Sequence, residues 1–119
     1  MSVINSDLYD ELVLLHERIC RAIGDPKRLL IMYALHQGPR YVVELADELG
    51  IPQPTVSRHL SALHQGGLVE KERQGQTVYY RLSDERIIDA LDKMRTILRD
   101  KLAASARVVS LTQPDNEEK

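Results

Sequence analysis

Glu44-Leu45-Ala46-Asp47-Glu48-Leu49-Gly50-Ile51, followed after Pro52-Gln53 by Pro54-Thr55-Val56-Ser57-Arg58-His59-Leu60, is the stretch that decides the fold. Leu45, Ala46 and Leu49 fall on one side of a helix predicted over 42–49. Val56, Leu60 and Leu63 fall on one side of a second, over about 54–64, so the two sides can pack together. Ala46 is small where the helices must cross closely, and Gly50 permits the sharp C-cap between them. Pro54 suits the opening turn of the second helix. Two helices joined in this way form a helix-turn-helix, whose second helix enters a DNA major groove N-terminus first. The face of that helix turned away from its partner carries Gln53, Thr55, Ser57, Arg58 and His59, all able to meet base edges or phosphates.

Past Gly66-Gly67 the pattern changes from helical to alternating. Residues 68–73 and 77–82 read as strands joined by a three-residue loop, Gln74-Gly75-Gln76. This hairpin carries Lys71, Arg73, Gln74, Gln76 and Arg81, which suit a wing reaching the flanking DNA backbone. Ser83-Asp84 reads as the cap of a last helix of more than twenty residues, with Ile87, Ile88, Leu91, Met94, Ile97, Leu98 and Leu102 as its apolar stripe.

Upstream, Leu8, Leu12, Leu15, Ile19 and Ile23 recur at spacings of three and four, which predicts an amphipathic helix over 8–23. Asp25-Pro26 is an N-cap followed by a first-turn proline, so a second helix is expected over about 26–36, stopped by Gly38-Pro39. The predicted order is α-α-α-α-β-β-α: a mainly α fold with a small β-hairpin, in which a winged domain occupies 1–109 and a polar, disordered tail 110–119. Leu8, Leu12, Leu15 and Ile19, with Ile87, Leu91, Met94 and Leu98, give the first and last helices more apolar surface than so small a core needs. These residues are the expected dimer interface.

The 119 residues are enough for one core, and 43% hydrophobic with 29% charged residues is the balance of an ordinary globular protein. Net charge is −2, but residues 1–20 sum to −3 and residues 21–40 to +3. Phosphate binding needs a local basic surface rather than a basic total, so the charge leaves DNA binding open. The first 20 residues read as neither signal peptide nor membrane span, and the single Cys20 fits a reducing cytoplasm. The chain has no glycine-rich phosphate loop, no recognisable carboxylate pair and no Cys–His–acid order, which argues against an enzyme.

The segments Gly24-Asp25-Pro26-Lys27-Arg28-Leu29, Glu44-Leu45-Ala46, 53–60, Gly66-Gly67-Leu68-Val69, Arg73-Gln74-Gly75-Gln76 and Tyr79-Tyr80 together resemble the ArsR/SmtB-type family of dimeric winged helix-turn-helix repressors. The resemblance implies dimerisation through the first and last helices, binding to a double-stranded DNA operator, and release when an effector binds. It also implies where a sensor would sit, and there the chain departs from the family. Tyr41 and Val43 stand where third-helix metal sensors have a Cys-x-Cys. Asp84 matches the start of the last-helix zinc motif, but Arg86, Ile97 and Asp100 replace the other ligands, and a guanidinium repels a cation. Tyr33 and Arg99 stand at the two positions of a persulfide-sensing cysteine pair.

His16 and Cys20 remain, one helical turn apart. They fit half a metal site completed across a dimer, but two ligands are fewer than a site needs, which favours a small buried thiol beside an edge histidine. The expectation is therefore a repressor without cofactor or family metal site. The alternatives are a winged-helix protein-interaction module and a thiol-responsive repressor switched through Cys20.

Overall fold

Asp25 opens the first segment whose ends follow directly from local chemistry. In the computed structural model, which describes residues 6–112, its carboxylate accepts a 2.7 Å hydrogen bond from the Lys27 backbone N–H. Pro26 fills the first helical position, and α2 runs Pro26–His36, as expected from an Asx cap and a proline that has no N–H to satisfy. Before it, α1 (Ser6–Leu15) passes into a π-helical turn, His16–Cys20. There the Arg21 N–H reaches back five residues to the His16 carbonyl. The apolar spacing predicts one uninterrupted α-helix and carries no sign of this widened turn.

After α2 come β1 (Arg40–Tyr41), α3 (Val42–Leu49), α4 (Gln53–Gln65), β2 (Val69–Gln74), β3 (Thr77–Leu82) and α5 (Arg86–Thr112). Gly50 ends α3 at φ +65°, the left-handed conformation expected of it, and its N–H bonds the Ala46 carbonyl. Pro54 lies in the first turn of α4 as predicted. The core is aliphatic. Ile31, Met32 and Leu35 from α2, Leu45 from α3, and Val56, Leu60 and Leu63 from α4 are buried with Leu68, Val69 and Leu82 of the sheet.

The structure departs from the sequence reading in four places. The sheet has three antiparallel strands in the order β1-β3-β2, because Arg40 and Tyr41 pair with Tyr80 and Tyr79. The Tyr41 and Tyr79 rings meet edge to face with centroids 5.6 Å apart, a cross-strand contact that holds this short strand in place. The hairpin loop has two residues rather than three, since Gln74 pairs with Thr77. Gly75 takes φ +64° and Gln76 does not go positive, the pattern of a type II′ turn. Ser83, half of the expected Ser83-Asp84 cap, bonds back to the wing. Its hydroxyl donates to the Gly67 carbonyl at 2.6 Å, fixing the wing's end to its start, and the helix begins at Arg86. Finally, α5 continues through Thr112, so residues 110–112, assigned to the tail from sequence, are helical; residues 113–119 lie outside the described region.

The chain divides into two units, one ending at Glu85 and one beginning at Arg86, where length alone suggested a single domain over 1–109. None of the described helices is long and apolar enough to cross a membrane.

Candidate nucleic-acid interface

Packing decides which face of α4 is free. Val56, Leu60 and Leu63 recur at four and three residues and are buried, so the opposite side faces solvent. That side presents Gln53, Ser57 and Arg58, all exposed. Ser61, also exposed, extends the same face by one turn; it was missed from sequence, although its spacing of four from Ser57 marks it. The N-cap is Pro52, with no side-chain acceptor for the first-turn amides. Pro54 has no N–H and the Thr55 N–H bonds the Pro52 carbonyl at 3.0 Å, so of the first three positions only Gln53 keeps an amide for an outside acceptor.

Thr55 and His59 belong to the edge of this face. Thr55 is half-buried, and its hydroxyl accepts from Arg58 Nη2 at 3.4 Å. His59 is half-buried, and its Nδ1 accepts from Arg28 Nε at 3.1 Å. One ring nitrogen of His59, expected from sequence among the DNA contacts, is thus bound to α2. Burial, then the nearby Arg28, Lys27 and Arg58 charges, hold its pKa below the ordinary histidine value, against the pull of Asp25. The neutral imidazole that results must carry its proton on Nε2, and only that nitrogen can donate outward.

The wing sorts its charges by the pleat of its strands. Val69, Lys71 and Arg73 of β2 oppose Leu82, Tyr80 and Val78 of β3, so these six share one face of the sheet. The buried Val69–Leu82 pair fixes that face toward the helices at the base, while Lys71 and Arg73 stand exposed toward the tip. The other face carries Glu70 and Glu72. Arg81 sits among them, with Nη2 2.6 Å from Glu70 and Nε 3.5 Å from Glu72. Arg81 is therefore paired within the sheet. Gln74 and Gln76 lie exposed at the tip.

The residues expected to join two copies are split. Leu12 and Leu15 on α1 are 47% and 42% exposed, and Met94 and Leu98 on α5 are 51% and 56% exposed. Leu8, Ile19 and Ile87 are half-buried. Leu91, by contrast, is 5% exposed within the single chain. Ile97 and Leu102 are as open as Leu98 and extend the α5 stripe. Cys20 is exposed, so it is not the small buried thiol that was one of its two readings. It and His16 stand at the ends of the π turn. Among the described residues, no group of three or more His, Cys, Asp or Glu side chains is placed to hold a metal.

The model of the bacterial regulatory protein family arsR matches residues 25–71, which contain α2, α3 and all of α4. A probable mercury resistance operon repressor from Streptomyces lividans is 37% identical over 87 residues, covering 73% of this chain and 70% of that protein. The chain belongs to the arsR family. Another of its relatives is the HTH-type transcriptional repressor SmtB of Mycobacterium tuberculosis, 44% identical over 69 residues. That match takes in 58% of this chain but only about half, 51%, of the repressor.

The fold agrees with solved structures. The homodimeric winged helix-turn-helix DNA-binding domain of Mb0332 from Mycobacterium bovis, a possible ArsR-family regulator, superposes with a TM-score of 0.71 at 30% identity. The superposition covers 86% of this chain and 94% of that one. NolR from Sinorhizobium fredii gives 0.69 at 31% identity over 82% and 96%. The chain is accordingly a winged helix-turn-helix whose wing is joined on its β3 edge by the short strand β1.

Proposed function

We propose that this protein is a DNA-binding transcription repressor that acts as a homodimer on a pseudo-palindromic operator and needs no resident cofactor. The observation that carries the reading is a pair of exposed polar surfaces. Gln53, Ser57, Arg58 and Ser61 line the open face of α4, and Lys71 and Arg73 line one face of the wing. A helix so armed reads base edges, and a basic hairpin beside it grips the flanking phosphates. A protein-docking face would more commonly be built on aromatic or apolar anchors; the open face of α4 has none, and on the wing the half-buried Val78 and Tyr80 stand beside the exposed Lys71 and Arg73. The exposed leucine stripes of α1 and α5, together with the homodimeric mycobacterial relative, support two copies and hence two half-sites.

The test is an anisotropy or gel-shift titration on DNA upstream of the protein's own gene, against a scrambled duplex. Preferential binding is expected. Equal, weak affinity for both duplexes would favour the protein-interaction reading. A second reading adds regulation through Cys20, which is supported by the thiol's exposure.

A further inference from the structure

The C-terminal end of the first helix, the start of α2 and the C-terminal end of α4 enclose a cleft of about 430 Å³. Three guanidinium-bearing residues line it, Arg18, Arg21 and Arg28, with Glu17 the one acid among its walls. At one side the wall is tight, because a Cβ on Gly66 would come within 2.7 Å of both the Ala22 Cβ and the Arg18 carbonyl oxygen. The volume is that of a small-molecule site, and the lining is cationic.

Arg28 is held ready. Its Nε donates to His59, and its Nη1 to the Arg21 and Ala22 carbonyls at 3.4 and 3.3 Å. Nη2 has no such partner among the described residues. The ion pairs of the described residues lie elsewhere and engage none of the three arginines. A guanidinium already fixed by two of its nitrogens loses little freedom on meeting a ligand, and its fork matches the oxygens of a phosphate or carboxylate.

We propose that this cleft binds a small free anion bearing a phosphate or carboxylate group, and that His59 registers its arrival through Arg28. The cleft lies at Gln65-Gly66, the far end of α4 from Gln53, about 18 Å along the helix by its rise per residue. A duplex seated on the N-terminal half of α4 would leave it open. Leu8, Leu12 and Leu15 do not line it either, so pairing of two copies through that stripe leaves it accessible. A ligand drawing on Arg28 competes for the guanidinium that holds His59, and His59 stands beside Arg58 on the helix proposed to read DNA.

The site goes beyond the DNA-binding reading, and its test uses no operator. Amide and histidine resonances of the full chain are followed while inorganic phosphate, and separately succinate, is added at ionic strength held constant with chloride. A third titration uses a short duplex of arbitrary sequence. Saturable shifts are expected at residues 17–22, 28, 62–66 and the His59 ring. Phosphate and succinate show which oxyanion is preferred. In Arg18→Gln/Arg21→Gln, and in Arg21→Gln alone should the double variant fold poorly, affinity should fall about tenfold or more as charge-assisted bonds are lost. Shifts that grow linearly and match those from chloride, or that persist in both variants, would overturn the proposal. A response to the duplex but to neither small anion would overturn it too, assigning the cleft to DNA.

Discussion

Arg28 and His59 are joined side chain to side chain across 31 residues of sequence, with the guanidinium Nε donating to the imidazole Nδ1 at 3.1 Å. The same guanidinium caps the end of the first helix through the Arg21 and Ala22 carbonyls. One arginine of α2 thus ties together the helix before it and the helix proposed to read DNA.

The bond exists only while His59 is neutral, because a protonated Nδ1 would turn a second donor toward a cation. The pKa of His59 is lower in the folded chain than in the unfolded one, where it lies near ~6.5. Its contribution to stability is therefore complete above that value and lost as pH falls through the lower folded one. Urea midpoints should decline from pH ~7.5 to ~5 in the wild type and decline less in His59→Gln. Asp25, held below the usual carboxylate range chiefly by the Lys27 N–H, loses its contribution only below ~3.9. Parallel profiles for the two proteins between pH 5 and 7.5 would contradict the assignment.

Arg58→Ala should weaken operator binding by about 1–3 kcal/mol and relax discrimination at the base it meets. Arg73→Ala should weaken binding to every sequence alike and lower the salt slope by about 0.9. Arg81→Ala, which removes a side chain paired with Glu70 and Glu72, should leave the slope nearly unchanged. Anisotropy titrations at several salt concentrations separate the three outcomes. Unchanged affinity in both the Arg58 and Arg73 variants would sink the placement.

Gly66→Ala should destabilise the fold by about 1–3 kcal/mol, because the new methyl meets a backbone carbonyl and the Ala22 Cβ. Gly67→Ala should cost about 1–2 kcal/mol for a different reason: it has open space but φ +79°. Replacing Ala22 by Gly should partly rescue the first variant and do nothing for the second. Chemical denaturation of the four proteins decides this.

Leu12→Glu and Leu98→Glu should each shift the chain from dimer to monomer at micromolar concentration while preserving helicity. Both side chains are about half exposed in the single chain, so charging them spares its core. Sedimentation velocity with circular dichroism gives the answer. A wild type that sediments as a monomer would end the dimer proposal.

Cys20 should react with a thiol-specific reagent in the native state at a rate within about tenfold of the denatured chain, because it is exposed. Operator affinity of wild type and Cys20→Ser, each with and without oxidant, then tests the switch. Equal affinity in all four conditions would leave Cys20 a bystander.

What could be read from sequence was whatever local chemistry dictates. Asp25-Pro26, Gly50 and Pro54 act within a few residues of themselves, and α2 and α3 end where those residues place them. Strand β1 was not legible, because two residues cannot display a period and its partners lie some forty positions away. The π turn left no trace, since it widens a helix without changing residue preferences. The open face of α4 was partly legible: periodicity marked Gln53, Ser57 and Arg58. The capture of His59 by Arg28, and of Arg81 by Glu70 and Glu72, are tertiary facts that no spacing announces. The burial of Leu91 within the single chain is of the same kind.

Strand β2 lies on the outer edge of the sheet, with the other edge of β3 closed by β1. An edge strand offers its unpaired amides and carbonyls to any extended chain that comes near. Here the edge reads Glu70-Lys71-Glu72-Arg73, four consecutive charges. A parallel, in-register neighbour of the same kind would set each charge directly against its like. An antiparallel neighbour would instead set Glu70 against Arg73 and Lys71 against Glu72, so the charge order refuses one direction of approach and admits the other.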